Sequence, residues 1–229
     1  MPAISVIIPA FNEEKYIAAT LSALEKQTFT DYETIVVANG CTDDTEKILK
    51  NSKHHQLRHL SLPQANVSVA RNAGALNAQG NILVFLDADT QLAHNSLQKI
   101  AQEFTTEYGV ATTKTAPDIP SWKFKAALAF KNLYNQTNLY QGCSGVLVCR
   151  KKDFHDVDGY PPTIVMKEHR KLILKLKEKG KYTCIDTKVT TSMRRFEQWG
   201  LGKSFLFWVK QWAKDKTKGL QGMKYETVR

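Results

Sequence analysis

The feature that most constrains the fold of this chain is an alternation of short β-branched runs with helical patterns along its N-terminal part. Each strand-like run is closed by a turn-like cluster and then followed by a helical pattern. The predicted order is strand 4–8, helix 13–26, strand 34–37, helix 43–50, strand 57–62, helix 67–78 and strand 82–86. Repeated β-α order of this kind predicts an α/β fold, with a mostly parallel sheet flanked by helices on both faces.

The alternation loosens after residue 86. The later predicted elements are a helix at 95–107, a strand near Val110, an aromatic-rich helix at 122–140, a strand at 145–149, a helix at 166–179 and an amphipathic segment beyond residue 195. A chain of 229 residues without a linker or repeat is long enough for one domain with a substantial core. The expectation is therefore one domain followed by a basic helical tail.

Two carboxylates are expected at the edge of the sheet where ligands bind. Ligands of such sheets lie beyond the carboxyl ends of the strands, so the loops after residues 8, 37 and 86 share one rim. The triplet Asp87-Ala88-Asp89 follows directly on the apolar strand at 82–86. Carboxylate oxygens suit Mg²⁺ or Mn²⁺, which complete their coordination with substrate phosphates. The alternative is that the triplet is only a turn and helix cap.

Other polar groups are predicted on the same rim. Asn12 and Glu13 end the first strand and Asn39 ends the second, so their side chains can contact a nucleobase or ribose. Arg71 opens a helix among small residues, where its guanidinium can pair with a diphosphate through two hydrogen bonds. The run at 142–145 has two glycines and precedes a strand, so its backbone can approach a second substrate closely.

In this order the motifs resemble those of the family-2 glycosyltransferases with the GT-A fold. The matching segments are residues 7–14, residues 36–45, Arg71-Asn72 with Gly74, and Asp87-Ala88-Asp89. The resemblance implies a metal, Mn²⁺ or Mg²⁺, on Asp89 with help from Asp87. It also implies that the nucleotide-sugar is bound by Pro9, Ala10, Phe11, Asn12, Glu13, Asn39, Arg71, Asp87 and Ala88.

The chain departs from the family pattern at two positions. Asn39 stands where an Asp typically accepts the uracil imino hydrogen, and an amide suits uracil, thymine and guanine alike, so the base stays open. Family members commonly carry Glu-Asp as the catalytic base motif, and here Glu168 is in register while His169 replaces the Asp. An imidazole is a competent base at neutral pH. The alternative is that both residues only cap or solvate a basic helix.

The resemblance implies an inverting transfer in which an acceptor hydroxyl attacks the anomeric carbon of a nucleotide-diphospho-sugar. A UDP-sugar is the leading expectation for the donor, and a glycan or lipid-linked molecule for the acceptor, with no nucleic acid involved. Residues 1–195 are expected to form the GT-A domain, with a nucleotide-binding half at 1–90 and an acceptor half at 91–195. Four further residues are candidates for acceptor or diphosphate contacts: Gly142, Ser144, Arg194 and Arg195.

The positive charge is concentrated near the C-terminus. Residues 1–166 have 15 Lys and Arg against 16 Asp and Glu, whereas residues 167–229 have 17 against 6. Within the basic amphipathic tail at 196–229, Phe205, Trp208, Val209 and Trp212 recur at helical spacing. Such a helix can lie on an anionic membrane surface, or its apolar face can pack on the domain's own sheet.

Several features favour a cytoplasmic protein. The spacing of the four cysteines matches neither a zinc site nor a disulfide framework, and no signal peptide or membrane-spanning run is recognisable. Two other functions stay open. A nucleotidyltransferase would need a Gly-rich loop after the first strand, where this chain has none. A non-catalytic sugar-nucleotide or anion-binding module would fit the basic tail and the missing Asp residues.

Overall fold

The computed structural model describes residues 1–137, 142–143, 145–164, 167–200 and 202–203. These residues include eight strands and seven helices, besides a helical segment at 194–200. The strands are β1 (Ile4–Ala10), β2 (Tyr32–Asn39), β3 (Leu57–Leu62), β4 (Ile82–Leu86), β5 (Thr90–Leu92), β6 (Tyr108–Pro117), β7 (Val146–Arg150) and β8 (Lys181–Thr191). The helices are α1 (Ile17–Glu25), α2 (Thr45–Asn51), α3 (Val67–Asn77), α4 (Ser96–Glu103), α5 (Trp122–Gln136), α6 (Lys151–Asp156) and α7 (Glu168–Leu176).

All eight strands belong to one sheet with the order β3-β2-β1-β4-β7-β6-β8-β5. β1 pairs in parallel with β2 and β4, and β2 pairs in parallel with β3. The other half of the sheet is mixed, because β7 is antiparallel to both of its neighbours. β8 is parallel to β6 and antiparallel to β5. The predicted α/β class is confirmed, and its parallel half is formed by β1 to β4.

Two hydrophobic clusters cover the two faces of the sheet. One joins alternate residues of β1 and β2 to apolar residues of α1 and α4, including Leu21 and Leu97. The other cluster joins strand residues that point to the opposite face, such as Ile7 of β1 and Phe85 of β4, to α3, α6 and α7. This arrangement follows from the twofold alternation of side chains along a strand. The helices therefore flank both faces, as the sequence predicts.

The parallel half brings three loops to one edge. In the register of β1 with β2, Pro9 lies beside Val37, and in that of β1 with β4, Ile7 lies beside Phe85. The carboxyl ends of these strands therefore reach the same level, as expected for parallel neighbours. Gly74 allows α3 to pack closely on β1, because a Cβ there would lie 2.3 Å from Ile7 Cγ2.

Some predicted elements have different bounds and others were missed. Strands β3 and β4 have the predicted bounds, whereas α1 begins four residues after the predicted start and β6 is longer than the strand expected near Val110. Strand β5, helix α6 and strand β8 were not predicted. Residues 194–200 are helical, but the stripe from Phe205 to Trp212 lies outside the described residues. No helix in the described part is long and apolar enough to span a bilayer.

Candidate functional site

A tight turn after β4 presents the two predicted metal carboxylates. The Asp87 N–H donates to Gly145 O at 2.9 Å, and the Thr90 N–H donates back to Asp87 O at 3.0 Å. Gly145 has a φ of 76°, and a Cβ at that position would lie 2.7 Å from Thr90 Oγ1. A glycine is therefore needed where β7 begins beside this turn.

The middle residue of the triplet points into the protein. Ala88 is buried, and its carbonyl oxygen accepts a hydrogen bond of 2.7 Å from Thr20 Oγ1 of α1. This contact fixes the turn from the α1 side of the sheet. The flanking carboxylates of Asp87 and Asp89 then face two different arginines.

Arg194 bridges two acidic residues of the site. Its Nη1 and Nη2 donate to the two carboxylate oxygens of Glu13, both at 2.8 Å. Nη2 also lies 2.9 Å from Asp89 Oδ2, and the guanidinium carbon lies 4.7 Å from the centre of the Tyr16 ring. All three charged side chains are mostly buried. Arg194 therefore occupies the position of a cation between the ends of β1 and β4.

The end of β8 carries Arg194 into the site. Thr191, the last residue of β8, pairs with Thr90 of β5, and the Ser192 N–H donates to Asp89 O at 3.2 Å. The Met193 N–H is fixed by Asp118 Oδ1 at 2.9 Å. These contacts hold the segment after β8 against the turn of the triplet.

Asp89 lies in an environment that disfavours its charge. Burial raises the pKa of Asp89 to about 6, Arg194 works against that shift, and Asp87 and Glu13 add to it. Glu13 shares Arg194 with Asp89, whereas Asp87 is 38% exposed and contacts Arg71 instead. The cation that contacts Asp89 is the Arg194 guanidinium, whose Nη2 lies 2.9 Å from Asp89 Oδ2.

Arg71 links the second carboxylate to the predicted base. Its Nη2 lies 3.0 Å from Asp87 Oδ1, and its Nη1 lies 2.7 Å from Glu168 Oε1. Burial disfavours the charge of Arg71, but Tyr160, Glu168 and Asp87 outweigh this effect and raise its pKa. Its buried Nε has no hydrogen-bond partner among the described residues. Arg71 therefore contacts carboxylates, and its predicted contact with a diphosphate stays a prediction.

His169 lies beside this pair at the start of α7. Its Nδ1 is 2.9 Å from the hydroxyl of Tyr160, and the two rings meet edge to face. Burial, and then the Arg71 guanidinium, hold the pKa of His169 well below its ordinary value. Its Nε2 is buried and has no hydrogen-bond partner within the described part of the chain. The imidazole is therefore neutral near pH 7, with one ring nitrogen left for a ligand.

The predicted nucleotide-contacting residues line the ends of β1 and β2. Asn12 has a φ of 54°, and its Oδ1 accepts from the Thr42 N–H at 2.8 Å. Asn39 is buried, and its Oδ1 accepts from the Asn66 N–H at 2.8 Å. Pro9 and Ala10 are the last residues of β1, and Phe11 follows them half-buried. The amides of Asn12 and Asn39 thus tie the two loops and α3 together at this edge.

The other predicted contacts are spread over the far side of the site. The Gly142 carbonyl accepts a hydrogen bond of 2.9 Å from the buried Tyr182 hydroxyl. Ser144 lies outside the described residues. Unlike Arg194, Arg195 lies over the Trp199 ring at 5.4 Å. Among the described candidates for acceptor or diphosphate contacts, Arg194 meets the carboxylates of Glu13 and Asp89.

Sequence reasoning missed two residues near the site. Tyr160 contacts both His169 and the guanidinium of Arg71, which lies 5.2 Å from its ring centre. Burial lowers the pKa of Lys131 on α5, while Cys143 and then Asp87 oppose that shift. A lysine in the middle of an aromatic helical run was a signal that could have identified Lys131. Tyr160 follows a turn and gave no comparable signal.

The donor set fits a divalent ion that is completed by substrate. No group of three or more His, Cys, Asp or Glu side chains that could hold a metal occurs among the described residues. Asp87 and Asp89 nevertheless supply carboxylate oxygens at the rim, and Mg²⁺ or Mn²⁺ is commonly held by one or two carboxylates plus phosphates. Arg194 acts as a stand-in cation at Asp89. The residues present therefore fit the ion that the resemblance implies.

Comparison with known proteins identifies the family. Residues 5–198 match the family described as Glycosyl transferase family 2. The chain therefore belongs to glycosyltransferase family 2, as the motifs in its sequence indicated.

Curated relatives are similar over part of their length. The chain is 31% identical over 99 residues to glycosyltransferase GlyA of Streptococcus pneumoniae, a match that covers 42% of this chain and 14% of GlyA. It is 28% identical over 159 residues to glycosyltransferase AglE of Haloferax volcanii, which covers 61% of this chain and 52% of AglE. This chain thus spans about half or less of the length of these relatives.

Solved structures confirm the GT-A fold. The S. aureus TarS 1–349 complex with UDP-GlcNAc superposes with a TM-score of 0.66 at 22% identity, covering 85% of this chain and 59% of TarS 1–349. The mannosyltransferase PcManGT from Pyrobaculum calidifontis, in complex with GDP-Man and Mn²⁺, gives a TM-score of 0.73 at 18% identity, covering 96% of this chain and 66% of that one. At such identities the likeness shows the shared fold.

Proposed function

We propose that this chain transfers a sugar from a nucleotide-diphospho-sugar to an acceptor hydroxyl, with inversion at the anomeric carbon and with a divalent metal ion. The observation that carries the proposal is the convergence of Glu13, Asp87 and Asp89 with two arginines at the carboxyl edge of the parallel strands. Family membership supports the reaction class. The nucleotide-sugars bound to TarS and PcManGT support the donor class.

The proposed donor is a UDP-sugar bound across the ends of β1 and β2. Pro9 to Glu13 and Asn39 would surround the base and ribose, while Arg71, Asp87 and Ala88 would lie toward the diphosphate. Asn39 already accepts one hydrogen bond from Asn66, and its carbonyl has a second lone pair for a base N–H. The same amide also suits guanine, so the donor panel below includes GDP-sugars.

Asp89, aided by Asp87, is proposed to hold Mn²⁺ or Mg²⁺. A bound divalent ion supplies Lewis-acid stabilisation of the charge that develops on the departing nucleoside diphosphate. Arg71 holds Asp87 through their 3.0 Å contact. In this position it would also lie close to the charge that develops on the departing nucleoside diphosphate. Arg194 holds Glu13 with two further hydrogen bonds, so it can release Asp89 and remain bound in the site.

His169 and Glu168 are the two candidates for the general base. For His169 to accept the acceptor's proton at Nε2, its Nδ1 has to donate to the Tyr160 oxygen, which leaves the Nε2 lone pair free. Glu168 has one oxygen bound to Arg71 at 2.7 Å. The neutral state and unpartnered Nε2 of His169 favour the imidazole, and paired variants of the two residues can decide between them.

The proposed acceptor is a glycan or a lipid-linked molecule, and the proposed location is the cytoplasm with peripheral contact to an anionic membrane. The four cysteines are free thiols, which agrees with a reducing compartment. The basic charge of residues 167–229 supports attraction to anionic lipid.

A donor panel tests the proposed function. The thermal unfolding midpoint is measured with UDP-, GDP- and dTDP-sugars, each with and without Mn²⁺, and release of the nucleoside diphosphate is then followed for the donors that bind. Stabilisation by one nucleotide-sugar class that requires Mn²⁺, followed by turnover, is the expected result. Binding without any turnover would instead favour the non-catalytic binding module, and no binding would reject both.

A further inference from the structure

Helix α5 exposes large apolar side chains on one face. Trp122, Phe130, Leu133 and Tyr134 are 74%, 69%, 59% and 40% exposed. At 100° per residue their positions fall within about 120° of the helix circumference. The rings of Phe130 and Tyr134 are stacked with nearly parallel planes, and their centres are 6.0 Å apart. We call these four residues the α5 face.

The opposite side of α5 is fixed to the domain. Leu128 and Asn135 are buried on that side. The side chain of Asn132 makes two 2.9 Å hydrogen bonds with the backbone N–H and carbonyl of Thr115 in β6. The helix is therefore anchored by the side that faces away from the α5 face. The exposure of the aromatic rings follows from this anchoring, since turning them inward would break both hydrogen bonds.

The surroundings of the α5 face are cationic. Helix α5 has exposed lysines at positions 123 and 125 and no acidic residue. Near its first turn, the Phe124 ring packs on that of Phe196 at 5.8 Å, which brings the helical segment at 194–200 beside it. Arg195 of that segment, and Lys203 beyond it, have their charged groups 5.4 Å and 5.1 Å from the centre of the Trp199 ring. The segment at 194–200 therefore adds an aromatic ring and cationic side chains next to the first turn of α5.

We propose that the α5 face, together with Arg195, Trp199 and Lys203, docks on the surface of an anionic lipid bilayer. Exposed aromatic rings beside lysine and arginine suit the interface, where the rings lie at the level of the headgroups and the cations meet lipid phosphates. The net positive charge of residues 167–229 is complementary to such a surface. The assignment deepens the proposed membrane contact by naming a surface of the folded domain.

The position of α5 connects this surface to the site. Asn132 of α5 is hydrogen-bonded to Thr115 of β6, and Asp118, which follows β6, accepts from the Met193 N–H beside Arg194. In the proposed orientation the domain lies on its α5 face and takes an acceptor hydroxyl carried by a lipid headgroup.

Vesicle sedimentation of the full chain tests the proposal. The wild-type chain is expected to sediment with phosphatidylglycerol vesicles at low salt, to be released by high salt, and to ignore phosphatidylcholine vesicles. A Trp122→Ser and Phe130→Ser double variant should lose at least about tenfold in partitioning, because it removes two exposed aromatic anchors. The control Leu76→Ser changes an apolar side chain of α3 that is 73% exposed and should partition like the wild type.

Two double variants that reverse lysine charges complete the experiment. Lys123→Glu with Lys125→Glu on α5 should weaken binding to the anionic vesicles, whereas Lys47→Glu with Lys50→Glu on α2 should weaken it much less. Unchanged partitioning of either α5 double variant would overturn the proposal, and so would tight binding to neutral vesicles. Quenching of tryptophan fluorescence by a soluble oligosaccharide but not by vesicles would overturn it in favour of a glycan-binding surface. The nucleotide-induced thermal shift of the same variants reports donor binding separately, so the two proposals can fail independently.

Discussion

Arg194 neutralises Glu13 and Asp89 in a part of the protein where water contributes little screening. Its guanidinium makes three contacts of 2.8 to 2.9 Å with side chains that are at most 16% exposed. Removal of one member of such a cluster leaves the others uncompensated. A divalent ion at Asp89 therefore has to compete with Arg194 for the same oxygens.

Arg194→Ala should strengthen the binding of Mn²⁺ to the donor-free protein. A competing ion pair worth about 1 kcal/mol corresponds to about a fivefold change in affinity. The free Mn²⁺ signal in electron paramagnetic resonance measures this change. Arg195→Ala, which removes the same charge one residue away, is the control and should leave the affinity as it is. Equal affinity of the two variants would show that Arg194 does not compete for the ion.

His169→Ala should lower kcat/KM for glycosyl transfer by about 10²–10⁴-fold if the imidazole is the general base. Glu168→Gln keeps the size of the side chain, and its amide oxygen can still accept from Arg71 Nη1, which lies 2.7 Å from Glu168 Oε1 in the wild type. The variant therefore tests the charge alone. A nearly silent His169→Ala beside an inactive Glu168→Gln would assign the base to Glu168 instead.

The pH profile provides a second test of His169. Its pKa in the folded protein is held below 6.5, so the neutral base persists at a pH where an ordinary imidazole is half protonated. As the pH falls, kcat/KM should therefore stay level through pH 6.5 and decrease only below it. A decrease centred above pH 6.5 would point to a different titrating group. The His169→Ala variant should lose this acidic limb.

Part of the site could be predicted from the sequence. Asp87 and Asp89 follow an apolar strand, which places them at the rim, and Glu13 ends the first strand. The contact of Arg194 with Glu13 spans 181 positions of the chain, so no local pattern could reveal it. It depends on the pairing of β8 with β5, which sequence periodicity did not predict.

At the scale of the elements, the packing of α7 on the core determines where the predicted base, His169 or Glu168, lies. Glu168 and His169 form its first turn, while Leu172, Ile173 and Leu176 are buried against β6 and its neighbours. The N-terminal residue Lys167 has a φ of 55°, so the chain turns sharply into this helix. The position of the base therefore depends on how well the buried side of α7 packs.

Leu172→Ala should destabilise the protein by about 3 kcal/mol, because it leaves a cavity at a fully buried position. Leu174→Ala on the same helix removes a side chain that is 46% exposed and should cost less than about 0.5 kcal/mol. Chemical denaturation measures both changes. Similar losses in the two variants would contradict the packing of α7 described above.

The elements that the sequence predicted well are those with a strong local pattern. Strands β3 and β4 are short apolar runs between turns, and they have the predicted bounds. Strand β8 mixes threonines, charged residues and apolar residues, and it pairs with β6 and β5. Strand β5 has three residues and α6 has six, which is too short for a periodic signal.

At the scale of the whole molecule, the carboxylates of the site and the excess of basic residues come from different parts of the chain. The parallel half built from β1 to β4 carries the carboxylates at its rim, and the excess of lysine and arginine lies after residue 166. Arg194 is the point where the basic part of the chain reaches the acidic site. A donor with two phosphates and a metal ion would bind between these opposite charges.

The proposal that Asp89 holds the metal ion needed for transfer is tested by the release of nucleoside diphosphate from the best-binding nucleotide-sugar. The release is measured with and without Mn²⁺. The comparison is between the wild-type chain, Asp89→Asn, and Asp31→Asn as a control that changes an exposed carboxylate. Asp89→Asn should fold normally, because Arg194 keeps both hydrogen bonds with Glu13. The account predicts Mn²⁺-dependent release by the wild type and the control and none by Asp89→Asn. Release by Asp89→Asn at the wild-type rate would contradict it.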